Sequence, residues 1–146
     1  MFFSKWFRGR GNRQPGPEEP PLYIRGVCVG LEDRFLLERL APENKWKLRF
    51  ANSPREGFSL AAKQCFDVIL CDRNQPGYPW REVLDEFSQT APRSCILLLS
   101  PANDDYLWGE VVQHGGHDIV RRPLREQSAL RAIETARLRQ FAAHVG

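Results

Sequence analysis

The stretch FDVILCDRNQPG, residues 66–77, contains the clearest strand pattern of the chain and has an acid at the end of that strand. Its first five residues are mostly apolar, which is typical of a strand buried on both faces of a sheet. Asp72 follows, and the chain then turns through Asn, Gln, Pro and Gly. A carboxylate at the end of a buried strand is either a turn residue or a reactive group at the edge of a sheet.

Strand and helix patterns alternate along the chain on both sides of this stretch. Residues 23–30 and 94–100 are apolar runs, and residues 117–123 form a shorter one that Pro123 ends. Residues 45–52 alternate apolar with basic side chains, the pattern of an outer strand with one solvated face. Five strands alternating with five helices predict an α/β fold. We expect a doubly wound, five-stranded parallel sheet of the flavodoxin-like order 2-1-3-4-5, with helices on both faces.

Capping residues and prolines predict where the helices begin and end. We expect Pro42 to stop the first helix, and Ser53 followed by Pro54 to start the second. Asn103 or Asp104 can cap the fourth helix, which a Gly-Gly pair closes. The fifth helix is predicted over about residues 126–142.

Length and composition indicate one soluble domain. The chain has 146 residues, of which 42% are hydrophobic and 27% charged, and such a chain can bury a core without disulfides or metals. Three of its four cysteines lie within apolar runs and none forms a CxxC pair, which favours a reducing cytoplasm. No apolar run approaches the length of a membrane span.

The N-terminal segment differs from the rest of the chain in charge. We divide the sequence into a flexible basic and aromatic tail with its linker, residues 1–21, and a domain, residues 22–146. Residues 1–17 carry four cations and no acid, whereas the remaining residues hold 17 basic and 18 acidic side chains. A body without excess positive charge argues against nucleic acid as a partner. The tail itself could touch an anionic membrane surface or an acidic partner.

Three kinds of side chain converge at one edge of the predicted sheet. Ligands of open parallel sheets bind beyond the carboxyl ends of the strands. Asp72, Ser100 and Arg122 follow the third, fourth and fifth strands. A carboxylate there can act as a nucleophile, a hydroxyl can donate to a phosphoryl oxygen, and a cation neutralises the developing charge.

These segments resemble response-regulator receiver domains, of the kind found in chemotaxis regulators. CDRNQPGYPWREVL resembles the phosphoacceptor segment Asp-x-x-x-Pro before a helix, with Asp72 and Pro76 matching. LLLSP resembles the fourth strand with its hydroxyl at Ser100. HGGHDIVRRPL resembles the segment that ends in Lys-Pro, with Pro123 matching and Arg122 standing where lysine is expected. The resemblance covers roughly residues 22–142.

The resemblance implies a phosphorelay mechanism in two-component signalling. A histidine kinase would pass a phosphoryl group to Asp72 with the help of Mg²⁺, and the Ser100 hydroxyl would turn toward the phosphate. The face formed by the fourth helix, fifth strand and fifth helix would then repack and bind a partner or a second copy, giving a homodimer. The predicted residues of this interaction face are Tyr106, Trp108, Ile119 and Arg125, of which Ile119 stands where the switch aromatic is expected.

Two departures concern the metal and the cation. Receiver domains carry an acidic pair at the end of the first strand, where this chain reads Val29-Gly30-Leu31. Asp72 alone is a poor Mg²⁺ site. Glu32 and Asp33 lie two to three residues late: they could reach the site through a reshaped loop, or they could simply occupy the first turn of a helix. Arg122 could form a fork with Asp72 and mimic an occupied metal site.

The function therefore has one leading interpretation with an open alternative. We expect a single-domain, non-enzymatic signalling protein of the phosphorelay type that takes phosphate on Asp72. The alternative is a pseudo-receiver that acts as an interaction or scaffold module without phosphorylation. A cofactor-binding enzyme has little support, because the segment after the first strand, GLEDRF, lacks a glycine-rich phosphate loop.

Overall fold

The computed structural model describes residues 19–145, with side chains through residue 140, as alternating strands and helices. The predicted tail lies mostly outside the described residues. In chain order the elements are β1 (Leu22–Val27), α1 (Leu31–Asn44), β2 (Trp46–Ala51), α2 (Pro54–Lys63), β3 (Val68–Asp72), α3 (Trp80–Thr90), β4 (Cys95–Ser100), α4 (Asp105–Gln113), β5 (Asp118–Arg121) and α5 (Glu126–Val145).

The five strands form one parallel sheet in the order β2-β1-β3-β4-β5. The predicted fold class and strand order are confirmed. Every residue of β3 and of β4 is buried, as their unbroken apolar sequences predict for central strands. Lys47 and Arg49 are exposed on β2, which is an edge strand as its alternation indicates.

The core consists of two apolar layers, one on each face of the sheet. One face packs against α1 and α5 through side chains such as Leu37, Leu99 and Ile133. The other face packs against α2, α3 and α4 through side chains such as Phe87 and Val111. Helices cover both faces of the sheet but not its carboxyl edge. Polar groups can therefore lie at this edge, which is where the predicted site is.

Two predicted helix caps form and one predicted helix end is wrong. The Ser53 hydroxyl accepts from the amide of Glu56 at 3.1 Å, and the Asp104 carboxylate accepts from the amide of Leu107 at 2.8 Å. Pro42 lies inside α1 instead of ending it. The helix tolerates the missing amide so close to its end, and it closes only at Lys45, whose backbone is left-handed and donates to Ala41 and Pro42 carbonyls.

Within the described residues, no helix combines the length and the apolar character needed to cross a membrane.

Candidate functional site

Asp72 is the last residue of β3, at the carboxyl edge of the sheet. Its side chain is only 4% exposed. The Oδ1 atom accepts from the backbone amide of Asn74 at 2.9 Å, which is the short-range bond of a turn aspartate. Gln75 fixes the same turn by donating to the Asp72 carbonyl at 2.8 Å. Asp72 is therefore a turn residue and, at the same time, a carboxylate at the edge where parallel sheets bind ligands.

Arg122 lies between Asp72 and a second carboxylate, Asp33. Its Nε is 3.2 Å from Oδ2 of Asp72 and 3.1 Å from Oδ2 of Asp33. The remaining oxygen of Asp33, Oδ1, accepts from the backbone amide of Leu124 at 2.9 Å. Two buried carboxylates and the half-buried guanidinium between them form an acid–arginine–acid group, which we call the Asp33–Arg122–Asp72 centre. It joins α1, β3 and the segment that follows β5.

The loop after β1 brings Asp33 to this position. Cys28 has a left-handed backbone, with φ of 58°, and redirects the chain as it leaves the strand. Gly30 is the N-cap of α1, so Asp33 is the third helical residue. Side chains in a helix lean toward its N-terminus, which here faces Arg122. The prediction left open whether Asp33 reaches the site or lies in the first turn of a helix. Asp33 lies in the first turn of α1 and also reaches the site.

Burial dominates the electrostatics of Asp72. It raises the pKa of the carboxyl above its ordinary value, and the Asn74 hydrogen bond and the Arg122 charge lower that pKa only in part. The nearby Asp33 carboxylate raises it further. Arg122 thus neutralises a pair of acids that would repel each other in its absence.

The centre does not fit Mg²⁺ as it is arranged. Mg²⁺ is held by one or two carboxylates together with waters and phosphate oxygens. All four carboxylate oxygens of Asp33 and Asp72 already contact an amide or the Arg122 guanidinium. Within residues 19–145 there is also no group of three acid, histidine or cysteine side chains that could hold a metal ion. The positive charge at this edge of the sheet comes from the Arg122 guanidinium.

Ser100 is fully buried at the end of β4, and its hydroxyl is bound to groups other than Asp72. Oγ accepts from the backbone amide of Ala102 at 3.1 Å and from Nη1 of Arg73 at 3.3 Å. The backbone of Ser100 also holds the site together, because its carbonyl accepts from the Arg122 amide at 2.9 Å. The structure therefore brings the acid, the hydroxyl and the cation to one edge but pairs only the acid and the cation.

Other predicted residues fall in different places. Glu32 is exposed on the first turn of α1, and its role as a metal ligand stays a prediction. Pro123 follows Arg122 through a cis peptide bond. Ile119 is 6% exposed and packs in the core beneath α3 and α4, so it does not form part of a surface. Tyr106 and Trp108 are exposed.

Two groups that bind the site residues were not predicted from the sequence: the Arg73 side chain and the Leu124 amide. Arg73 is the residue next to Asp72, and its contact with Ser100 has no signal beyond that adjacency. The backbone amide of Leu124 carries no sequence signal at all. Arg125 is exposed just before α5, as a surface residue should be.

The five-stranded parallel sheet in this order is a flavodoxin-like α/β fold, and an acid, a hydroxyl and a cation lie at its carboxyl edge. The solved structures with a similar fold include receiver domains. The chemotaxis response regulator CheY4 of Vibrio cholerae matches with a TM-score of 0.73 and 19% identity, over 80% of this chain and 98% of that chain. The signal receiver domain of an HD domain-containing protein from Pseudomonas fluorescens Pf-5 matches with a TM-score of 0.74 and 19% identity, over 90% and 97%.

A third match, at lower identity, is the signal receiver domain of a putative Luxo repressor protein from Vibrio parahaemolyticus. Its TM-score is 0.75 at 12% identity, over 87% of this chain and 97% of that chain. No protein-family model and no curated protein matches the sequence. The receiver fold predicted from the motifs is confirmed, although the sequence is no more than 19% identical to these three neighbours.

Proposed function

We propose that this chain is a receiver-like signalling module that binds its partner without being phosphorylated on Asp72. The observation that carries the proposal is the Asp33–Arg122–Asp72 centre. The Arg122 guanidinium contacts both carboxylates, at 3.1 and 3.2 Å, and would supply beside Asp72 the positive charge that an acyl phosphate takes from a divalent cation. The pseudo-receiver alternative is therefore the better supported of the two interpretations.

The chemistry of phosphoryl transfer supports this choice. Asp72 would have to attack phosphorus with a carboxylate oxygen, and the charge on the transferring group would have to be neutralised. One Asp72 oxygen is held by a backbone amide and the other by Arg122, and the side chain is almost inaccessible. For Asp72 to attack phosphorus, the Asp72–Arg122 ion pair would have to open while the Asp33–Arg122 ion pair stayed closed.

The partner would be a histidine kinase or another signalling protein in the cytoplasm. Tyr106 and Trp108 on α4 and Arg125 before α5 border the surface that would receive it, and the same surface would serve a homodimer. We propose binding as the whole activity, with no catalysis by this chain. The basic tail would contribute contacts to an acidic partner or a membrane surface.

Phosphorylation of Asp72 is the second candidate. It is favoured by the position of the carboxylate, which ends the third strand of a receiver fold beside Ser100. In that case the incoming phosphoryl group would replace the carboxylates as the partner of Arg122. Mg²⁺ would then be needed to offset the negative charge of Asp33.

Treatment with a phosphoryl donor separates the two candidates. The full chain is incubated with acetyl phosphate at millimolar Mg²⁺ and its intact mass is measured, beside Asp72→Asn as the background control. A receiver domain of known activity is treated in parallel to show that the donor works. We expect no adduct that depends on Asp72. A phosphoryl adduct present in the wild type and absent from the variant would establish the phosphoacceptor role and overturn the proposal.

A further inference from the structure

Arg25 is a buried arginine within β1 whose charge has no counterpart in the described chain. Only 3% of its surface is exposed. Its Nε is fully buried without a hydrogen-bond partner, and within residues 19–140 its guanidinium makes neither a hydrogen bond nor an ion pair. A guanidinium stays charged at neutral pH, and a buried charge without a partner is costly. Arg25 therefore holds donors and charge that this part of the chain leaves unused.

The Phe66 ring fixes the orientation of this guanidinium. Its Cζ lies over the ring, 4.0 Å from the centroid. Contact with an aromatic face uses the plane of a guanidinium and leaves the N–H donors at its edge free. The terminal nitrogens of Arg25 also lack partners in the described chain but, unlike Nε, they are not fully buried. The side chain is thus held in place with donors that a ligand can reach.

A second arginine, Arg49 on the edge strand β2, lies beside Arg25. The two residues are direct partners in the parallel register, so their side chains extend from the same face of the sheet. Burial, and then the charge of Arg49, lower the pKa of Arg25 below its ordinary value. Arg49 is exposed, so this pair of like charges is open to solvent on the side of β2. Like charges opposite each other in a sheet are unfavourable unless an anion joins them.

Glu56 on α2 does not serve as that anion. It raises the pKa of Arg25, but by less than Arg49 lowers it. The Glu56 side chain is exposed, and its Oε1 accepts from the Asn52 amide at 2.6 Å. No ion pair joins it to either arginine in the described part of the chain. The two arginines therefore remain available to an anion from solution.

We propose that Arg25 and Arg49 bind a phosphate group, either free or at the end of a small monoester. Two phosphate oxygens match the paired donors of a guanidinium, and phosphate carries about two negative charges at neutral pH. A carboxylate carries one, whereas the site holds two arginines and Lys47, which is exposed on the same face of β2 as Arg49. Because Arg25 is nearly enclosed, the group that reaches it must be small.

This site is separate from the Asp33–Arg122–Asp72 centre. Arg49 lies on β2, and Arg122 follows β5, and these two strands are the opposite edges of the sheet. Phosphate binding at Arg25 would therefore not be phosphoryl transfer to Asp72. The inference does not depend on the proposed function.

NMR of the full chain tests the site as sodium phosphate is added at constant ionic strength. We expect saturable shifts of the Arg25 Nε–H signal and of the amides of residues 47–51, while signals near Arg122 stay in place. Arg49→Gln should weaken phosphate binding about tenfold, because a charge-assisted contact is lost. Arg25→Met should abolish saturable binding, and circular dichroism checks that this variant is folded. The matched control is Arg131→Gln, which removes an exposed arginine of α5 and should leave binding unchanged.

Two further ligands define the chemistry of the site. Glycerol 3-phosphate should bind at least as tightly as phosphate, and acetate about tenfold more weakly. Shifts that grow with phosphate without saturating, or equal weakening by Arg49→Gln and Arg131→Gln, would show a general effect of charge and overturn the inference. Acetate binding as tight as that of phosphate would contradict the preference for phosphate. Saturable shifts centred on Arg122 in place of Arg25 would move the anion to the other edge of the sheet and would also overturn it.

Discussion

Replacing Arg122 with methionine should lower the free energy of unfolding by about 3 kcal/mol at neutral pH. The substitution keeps most of the aliphatic length of the side chain and removes the charge that separates Asp33 from Asp72. Both acids are nearly inaccessible, at 3% and 4% side-chain exposure. Removing one partner of a buried ion pair is costly because it leaves uncompensated charge in a poorly solvated place. Urea unfolding, monitored by circular dichroism, measures the effect.

Arg121 provides the matched control for this substitution. It precedes Arg122 in the chain but is exposed, and within the described part of the chain its side chain donates only to the Pro101 carbonyl, at 3.3 Å. Arg121→Met should therefore change the stability by no more than about 0.5 kcal/mol. Arg122→Lys should fall between the two, because it keeps the charge and loses the planar donor group. Equal effects of the methionine substitutions at residues 121 and 122 would mean that the centre contributes nothing to the fold.

Replacing Asp72 with asparagine should have the opposite sign and stabilise the protein at neutral pH by roughly 0.5–2 kcal/mol, the usual size of a single stabilising substitution. Burial raises the pKa of Asp72, so ionising this carboxyl costs more in the folded chain than in the unfolded chain. Asparagine can still accept from the Asn74 amide, and Asp33 remains to pair with Arg122. The substitution removes the cost of ionisation together with the Asp72–Arg122 ion pair, and it keeps the Asn74 hydrogen bond and the Asp33–Arg122 pair.

The pH dependence of this gain follows from the raised pKa. Between the unfolded pKa, near 3.8, and the higher folded one, the native state holds a proton that the unfolded state has released. Wild-type stability therefore falls as the pH rises through that window. The advantage of Asp72→Asn should be largest near neutral pH and should vanish below the unfolded pKa. An advantage that is independent of pH would show that ionisation of Asp72 is not its source.

The fold was predictable because its signals are local and agree with one another. The apolar runs of β3 and β4 identify the central strands, since only a strand covered on both faces can dispense with polar alternation. The exposed Lys47 and Arg49 mark the edge strand, and Ser53 with Pro54 marks a helix start. Pro42 misled the prediction because a proline near a helix end removes one hydrogen bond without forcing the helix to stop there.

The candidate site was predictable only in part, because its key contacts depend on loops. The motifs located Asp72, Ser100 and Arg122, and all three lie at the carboxyl edge of the sheet. The position of Asp33 depends on the left-handed backbone of Cys28. Glycine is the usual residue in that conformation, so a cysteine gives no sign of it in the sequence. The partners of the Ser100 hydroxyl follow from the path of two loops and could not be predicted from residue types.

The proposed function requires that Arg122 take the place of a metal ion beside Asp72. Amide NMR of the full chain, with Mg²⁺ and beryllofluoride added as a mimic of the acyl phosphate, tests it most directly. Asp72→Asn serves as the control. We expect the signals of residues near Asp72, Ser100 and Arg122 to stay in place at millimolar Mg²⁺. Shifts of these signals in the wild type that are lost in the control would contradict it, because they would require the Arg122 ion pair to open and a metal to enter.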